Sequence, residues 1–253
     1  MDSTIKQQMI LHAGHHRVDF VTKVDWHEKQ QLMKVAFPVA IRATEATYDI
    51  QFGNVKRPTH WNTSWDYARF ETVGHQWADL SDRGYGVSLL NDCKYGYDIK
   101  DHVMRLSLIK SATHPDPEAD QGEHTFTYSI LPHAGDWLQG DTVRQAWSIN
   151  NPLRSTKGQA EVETKSMIHL STNTVMVSAL KKSEDGQKII VRVHDYSGSR
   201  QQIEMTSDLN IISWQECNLM ERPEGEVHTE PVIPFVLEPY ELRTFEIEVS
   251  VKK

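Results

Sequence analysis

The chain has 253 residues, 38% of them hydrophobic and 25% charged, enough to bury one or two cores and unlike fibrous or disordered chains. Its net charge is −8, with Lys and Arg scattered among acidic residues. The cationic stripe that nucleic-acid binding needs is therefore missing, and neutral or polar ligands fit better.

Period-2 alternation dominates the first half. In "RVDFVTKVDW" (17–26), Val18, Phe20, Val24 and Trp26 share one face while Arg17, Asp19, Lys23 and Asp25 share the other, the pattern of a strand with one side buried. "QQLMKVAF" is a further strand candidate, and "ATYDIQF" (46–52) places Tyr48, Ile50 and Phe52 inward. "VMRLSLIK" (103–110) does the same with Met104, Leu106 and Leu108, and "TFTYSIL" (125–131) with Phe126, Tyr128 and Ile130. "GDTVRQAWSINNP" (140–152) breaks the alternation: Asp141 is a capping-type residue, Val143, Ala146, Trp147 and Asn150 recur at helical spacing, and Pro152 stops the run. The polar stretch 154–166 has no strong period and reads as a link. Beyond it, "TVMVSAL", "QKIIVRVHDY" and "RTFEIEVSV" alternate again, the last with Phe245, Ile247, Val249 and Val251 on one face. Many strands with one helix and no βαβ alternation indicate a mainly β protein: a β-sandwich over 1–158, then a smaller C-terminal β-sandwich over 159–253.

No run of about 18 apolar residues occurs, and the opening "MDSTIKQQMILHAGHH" lacks a basic stretch followed by an apolar one. Neither a membrane partner nor an export signal is expected. Cys93 and Cys217 form no framework or C-x-x-C pair, which fits a reducing cytoplasm.

Several stretches invite a chemical reading. "HPDPEADQGEH" (114–124) gathers His114, Asp116, Glu118, Asp120, Glu123 and His124. Counted from Asp116, an EF-hand would need Gly at the sixth place and a carboxylate at the twelfth, where Gln121 and Thr127 stand. Pro115 and Pro117 forbid a zinc-binding helix, so a solvated connection between two strands fits better. "WHEKQQ" fails the zinc-peptidase pattern because Gln31 occupies the second His position. Asn62-Thr63-Ser64 is a sequon, which matters only in secreted chains. The segment 53–84 carries Trp61, Trp65, Tyr67, Phe70 and Trp77 with His60, Arg69 and His75. Such rings beside polar groups suit a sugar, or else a long loop packed over a sheet. "LLNDCKYGYDIKD" collects Asn91, Asp92, Lys94 and Tyr95 at a strand end, where they could reach a ligand or simply form a hairpin turn. Cys93 beside Lys94 raises the question of a lowered thiol pKa.

Taken together, "DWHEKQQLMKVAFP", "IQFGNVKRPTHWNTSWDYARFE", "QWADLSDRGYGVSLLNDCKYGYD", "HPDPEADQGEHTFTYSILPHAG" and "DTVRQAWSINNPL" resemble the C-terminal region of glycoside hydrolase family 38 α-mannosidases, in particular the cytosolic type. "ALKKSEDGQKIIVRVHDYSG", "NLMER" and "LEPYELRTFEIEV" extend the likeness through the second β unit. The resemblance implies a mutarotase-like supersandwich portion for the first unit. It also implies that the Asp nucleophile, the Asp general acid and the ligands of zinc or a similar divalent metal belong to an N-terminal catalytic region, not visible in this chain. The expectation is a non-catalytic piece of a longer retaining enzyme acting on mannosides or oligosaccharides, with no catalytic residue, metal site or cofactor of its own. It would scaffold that N-terminal catalytic domain, edge its sugar cleft through Asn91, Asp92, Lys94 and Tyr95, and self-associate through the surface meant for that partner. Relatives often carry an arginine beside this Asp, where Cys93 and Lys94 stand here, and many show a Glu near Asp195. The alternatives are an autonomous carbohydrate-binding module using the aromatics from Trp61 to Trp77, and a sugar epimerase, for which no clear His and Glu constellation is visible.

Overall fold

The structure is a computed structural model that describes residues 2–159 and 164–250. Contacts divide the chain into two compact units, one through Ser155 and one from Thr156 onward. The first contains strands β1 (Thr4–Leu11), β2 (Val18–Trp26), β3 (Gln31–Pro38), β4 (Glu45–Ile50), β5 (Gly53–Pro58), β6 (Thr72–Val73), β7 (Trp77–Ser81), β8 (Tyr85–Asn91), β9 (Gly96–Lys100), β10 (Val103–Ser111) and β11 (Gly122–Ala134). Its helices are α1 (Ser64–Ala68) and α2 (Thr142–Asn150). The second unit contains β12 (His169–Leu170), β13 (Val175–Lys182), β14 (Ile189–Asp195), β15 (Gln201–Thr206), β16 (Asn210–Cys217), β17 (Pro223–His228), β18 (Ile233–Leu237) and β19 (Leu242–Ser250).

In the first unit a seven-stranded sheet, ordered β1-β2-β11-β8-β7-β4-β5, faces a four-stranded sheet ordered β3-β10-β9-β6. Tyr48, Leu80, Leu89 and Phe126 of the large sheet pack against Tyr97, Met104, Leu106 and Leu108 of the small one, so the inward residues read from alternation at β10 and β11 make the core. The outer face of the large sheet is also covered. There Trp77, Leu90 and Leu131 pack with Ala146 and Val143 of α2.

That cover changes the expected polar face. Asp19 is buried, accepting from Arg17 Nε at 2.7 Å and from Ser129 Oγ at 2.6 Å. Arg17 in turn donates to the Gln145 carbonyl and the Ser148 hydroxyl on α2. A second polar cluster under the helix joins Asp79, Ser88, His133 and Thr142. Asp79, Ser88 and His133 are alternate positions of β7, β8 and β11 that would face water without α2, and their burial requires the partners they find.

Other readings are corrected locally. Phe52 is half exposed and sits at φ 53° in the turn between β4 and β5 instead of facing the core. Asp141 occupies the N-cap position of α2 but has φ 56° and makes no side-chain cap bond. The preceding turn is held by Asp136 Oδ1, which accepts from the Leu138 and Gln139 amides, each at 3.0 Å. The segment 53–84 contains β5, α1, β6 and β7 rather than one long loop, and β1, exposed along its length, adds an unanticipated edge strand.

The second unit pairs a five-stranded sheet (β13-β14-β19-β16-β17) with a three-stranded one (β12-β15-β18). Phe245 and Ile247 face its core with Trp214, Ile203 and Phe235. Val249 packs at its margin, while Val251 lies outside the described residues.

Candidate functional site

The strand-end residues occupy the turn between β8 and β9. Asn91 is buried: Nδ2 donates to the His75 carbonyl at 2.8 Å and the Tyr97 hydroxyl at 2.5 Å, and Oδ1 accepts the Lys94 amide at 2.6 Å. Asp92 Oδ2 accepts the Thr127 amide at 2.8 Å, while its buried Oδ1 has no hydrogen-bond partner. Lys94 Nζ lies 4.6 Å over the Phe126 ring. Tyr95 is exposed and meets the His75 ring edge-on at 5.7 Å. Asn91 and Asp92 thus shape the turn, and Tyr95 offers the most accessible side chain. The Cys93 thiol is not activated: partial burial, and then Asp92, push it up to about 11. This corrects the lowered value considered from Lys94 alone.

Beside this turn runs the aromatic segment. Thr63 and Asp66 form a reciprocal capping box that starts α1, and the Thr63 hydroxyl holds the Asp66 carboxyl below its usual range. Trp65, Tyr67 and Phe70 are exposed, Trp65 by 75%. The Trp61 and Tyr67 rings lie 5.6 Å apart at 50°, too tilted for a coplanar platform. Trp77 belongs elsewhere, buried and stacked on Trp137 at 5.1 Å. Next to α1 a cleft of about 260 Å³ is lined by Arg57, Asp66, Arg69, Thr72, Asp98 and Lys100, among others. Lys100 is buried, with Nζ 3.3 Å from the Asp66 carbonyl and 5.1 Å from the centre of the Trp61 ring. Arg57 donates to the Val73 carbonyl at 2.5 Å and lies over Tyr48. Converging donors and acceptors of this kind suit hydroxyl-rich ligands. Of these residues Arg69 was marked by its place in the aromatic segment and Asp66 had a local signal in the Thr-x-x-Asp spacing, whereas Arg57 and Lys100 reach the cleft through strand pairing.

The acidic stretch 114–124 connects β10 to β11, and its carboxylates serve the loop itself. Asp116 accepts the Glu118 amide at 2.9 Å, Asp120 the Lys110 amide at 3.2 Å, and Glu118 pairs with Lys29 at 2.7 Å. Among the described residues no three His, Cys, Asp or Glu side chains are grouped to hold a metal.

Ser88, His133 and Asp79 have the composition of a nucleophilic triad, but not its wiring. Ser88 Oγ (3.1 Å) and Asp79 Oδ2 (2.8 Å) both meet Nε2 of His133, whose Nδ1 is buried without a partner. A relay needs both ring nitrogens. The buried cluster is a packing device.

Asp49 lies behind His75. Its Oδ2 accepts the Gln76 amide at 2.9 Å, yet burial pushes its carboxyl up to about 7. Because the folded value exceeds the unfolded one of 3.8, its contribution to stability is full below about pH 4 and is lost as pH rises towards 7. Asp49→Asn is therefore expected to be more stable than wild type at neutral pH. Denaturant titrations should show that advantage growing by roughly 2 kcal/mol between about pH 5 and pH 8, whereas a pH-independent difference would contradict this.

The model of the glycosyl hydrolases family 38 C-terminal domain matches residues 1–118. The family 38 C-terminal beta sandwich domain matches residues 174–245. The chain belongs to the C-terminal region of glycosyl hydrolase family 38. Alpha-mannosidase G of Dictyostelium discoideum is 38% identical over 96% of this chain and 23% of its own length. Human Alpha-mannosidase 2C1 is 38% identical over 90% of this chain and 22% of its own. The Saccharomyces cerevisiae Alpha-mannosidase is 36% identical over 91% and 24%. The family 38 chain thus spans about a quarter of the length of these curated relatives. An alpha-mannosidase crystal structure from Enterococcus faecalis V583 shares its fold, with a TM-score of 0.80 at 19% identity over 96% of this chain and 29% of that one.

Proposed function

We propose that this chain is the non-catalytic C-terminal β region of a retaining α-mannosidase, serving as scaffold for the catalytic domain and as an edge of its sugar cleft. One observation carries the reading: relatives named α-mannosidase align over 90–96% of this chain but only 22–24% of themselves. Retaining hydrolysis needs two carboxylates about 5 Å apart across the scissile bond, one as nucleophile and one as acid. Neither is assigned to this chain. On the family resemblance, zinc or a similar ion is placed in the catalytic domain, and no step is derived through it.

The contribution proposed here is positional. Asn91 and Asp92 fix the turn, from which the Tyr95 hydroxyl and the Lys94 ammonium are the groups to meet mannose hydroxyls. Exposed Trp65, Tyr67 and Phe70 supply an apolar face suited to the catalytic domain or, in the isolated chain, to self-association. Free thiols at Cys93 and Cys217 favour a cytoplasmic setting. A carbohydrate-binding module draws support from the same exposed rings, but the 50° between Trp61 and Tyr67 weighs against it, and a flat tryptophan-fluorescence titration with mannose would exclude it. The purified chain is expected to turn over no aryl α-mannoside, and turnover would overturn the proposal.

A further inference from the structure

The second unit has a cleft of about 780 Å³ at one open side of its sandwich. It lies where both sheets end: β17 is the last strand of the five-stranded sheet and β18 of the three-stranded one. The aromatic rings of Trp214, Phe235 and Phe245 line it, with His228 stacked on Trp214 at 4.1 Å and 16°. Five carboxylates, those of Glu204, Glu216, Glu224, Glu226 and Glu230, share the lining with a single cation, Arg243. That arginine is already neutralised by Glu216, at 2.7 Å from Nε and through Nη2 as well. Among the described residues Glu204 and Glu226 have no side-chain hydrogen bond or ion pair.

We propose that this cleft binds an extended, arginine-bearing peptide segment of a partner protein. Arg243 shows the chemistry within the chain: its guanidinium lies 5.8 Å from the Phe235 ring centre and 5.7 Å from that of Phe245, clamped by a glutamate. A second guanidinium would find the unpaired carboxylates of Glu204 and Glu226, which its planar fork can meet bidentately, whereas a lysine ammonium meets a carboxylate only as a point charge. β17 is exposed from Pro223 through Val227, so its outer edge offers unpaired backbone groups to an added strand. Alternate side chains of that strand would then face the acidic cleft.

The test is fluorescence anisotropy with a labelled hexa-arginine peptide. Saturable binding is expected, weakened roughly tenfold or more in Glu224→Lys/Glu226→Lys and severalfold in the milder Glu226→Gln. The pair Glu184→Lys/Glu238→Lys, in the same unit but outside the cleft lining, changes net charge equally and should bind nearly as wild type does. Free arginine should compete only at far higher concentration, because it adds no strand. Absence of peptide binding, an equal loss in the Glu184→Lys/Glu238→Lys pair, or free arginine competing as well as the peptide would each overturn the proposal.

Discussion

Asp195→Ala is expected to destabilise the second unit by about 3–5 kcal/mol. Asp195 ends β14 with no exposed surface, and its carboxylate is the hub of the turn that follows. Oδ1 accepts the Ser197 amide at 3.0 Å, the Ser197 hydroxyl at 2.6 Å and Gln201 Nε2 at 2.9 Å. Oδ2 accepts the Gly198 amide at 2.8 Å, the Ser199 amide at 3.3 Å and the Tyr240 amide at 2.9 Å. Alanine would remove the acceptor of six hydrogen bonds at a fully buried position, and unmade buried bonds cost more than made ones contribute. It would also detach the β14–β15 turn from the chain before β19. Denaturation followed through Trp214, the one tryptophan of the second unit, measures the effect, and a loss below about 1 kcal/mol would show that the turn holds without this carboxylate.

The second large effect is expected at His133. Its ring is wedged between two glycines, so that a Cβ on Gly86 or on Gly140 would fall inside van der Waals contact with it. Gly86→Ala should cost about 2–3 kcal/mol by overpacking. His133→Ala should cost more, about 3–5 kcal/mol, because it leaves a cavity and strips the buried Asp79 carboxylate of a partner. If the glycine exists to admit the ring, the double variant will lose clearly less than the sum of the two. Strict additivity in urea titrations would contradict this.

Strands with one wet face, such as β10, were legible from alternation alone, because solvent on one side and core on the other impose period 2. β2 and β8 were only half legible. Asp19, Ser88 and their neighbours occupy polar positions that α2 covers, and no local pattern reveals that a distant helix will bury them. β1 was missed because Ile5, Met9 and Leu11 stay exposed, leaving no inward face to read. At the candidate site, quoted motifs located the 91–95 turn, but only pairing of β6 with β9 brings Tyr95 beside His75 and the aromatic segment. The bonds that Asp195 accepts from Ser197, Gly198, Ser199 and Gln201 are local, whereas the one from Tyr240 joins it to a distant part of the chain that no local pattern reveals.

On the proposed reading this region carries structure and an edge of the cleft, but not the chemistry. The most direct test of that reading is an assay of the purified chain on an aryl α-mannoside with zinc supplied, beside an equal amount of Alpha-mannosidase G. The expected result is a rate indistinguishable from the blank and no stoichiometric zinc on the chain. Turnover that scales with chain concentration, or one tightly held zinc per chain, would contradict it.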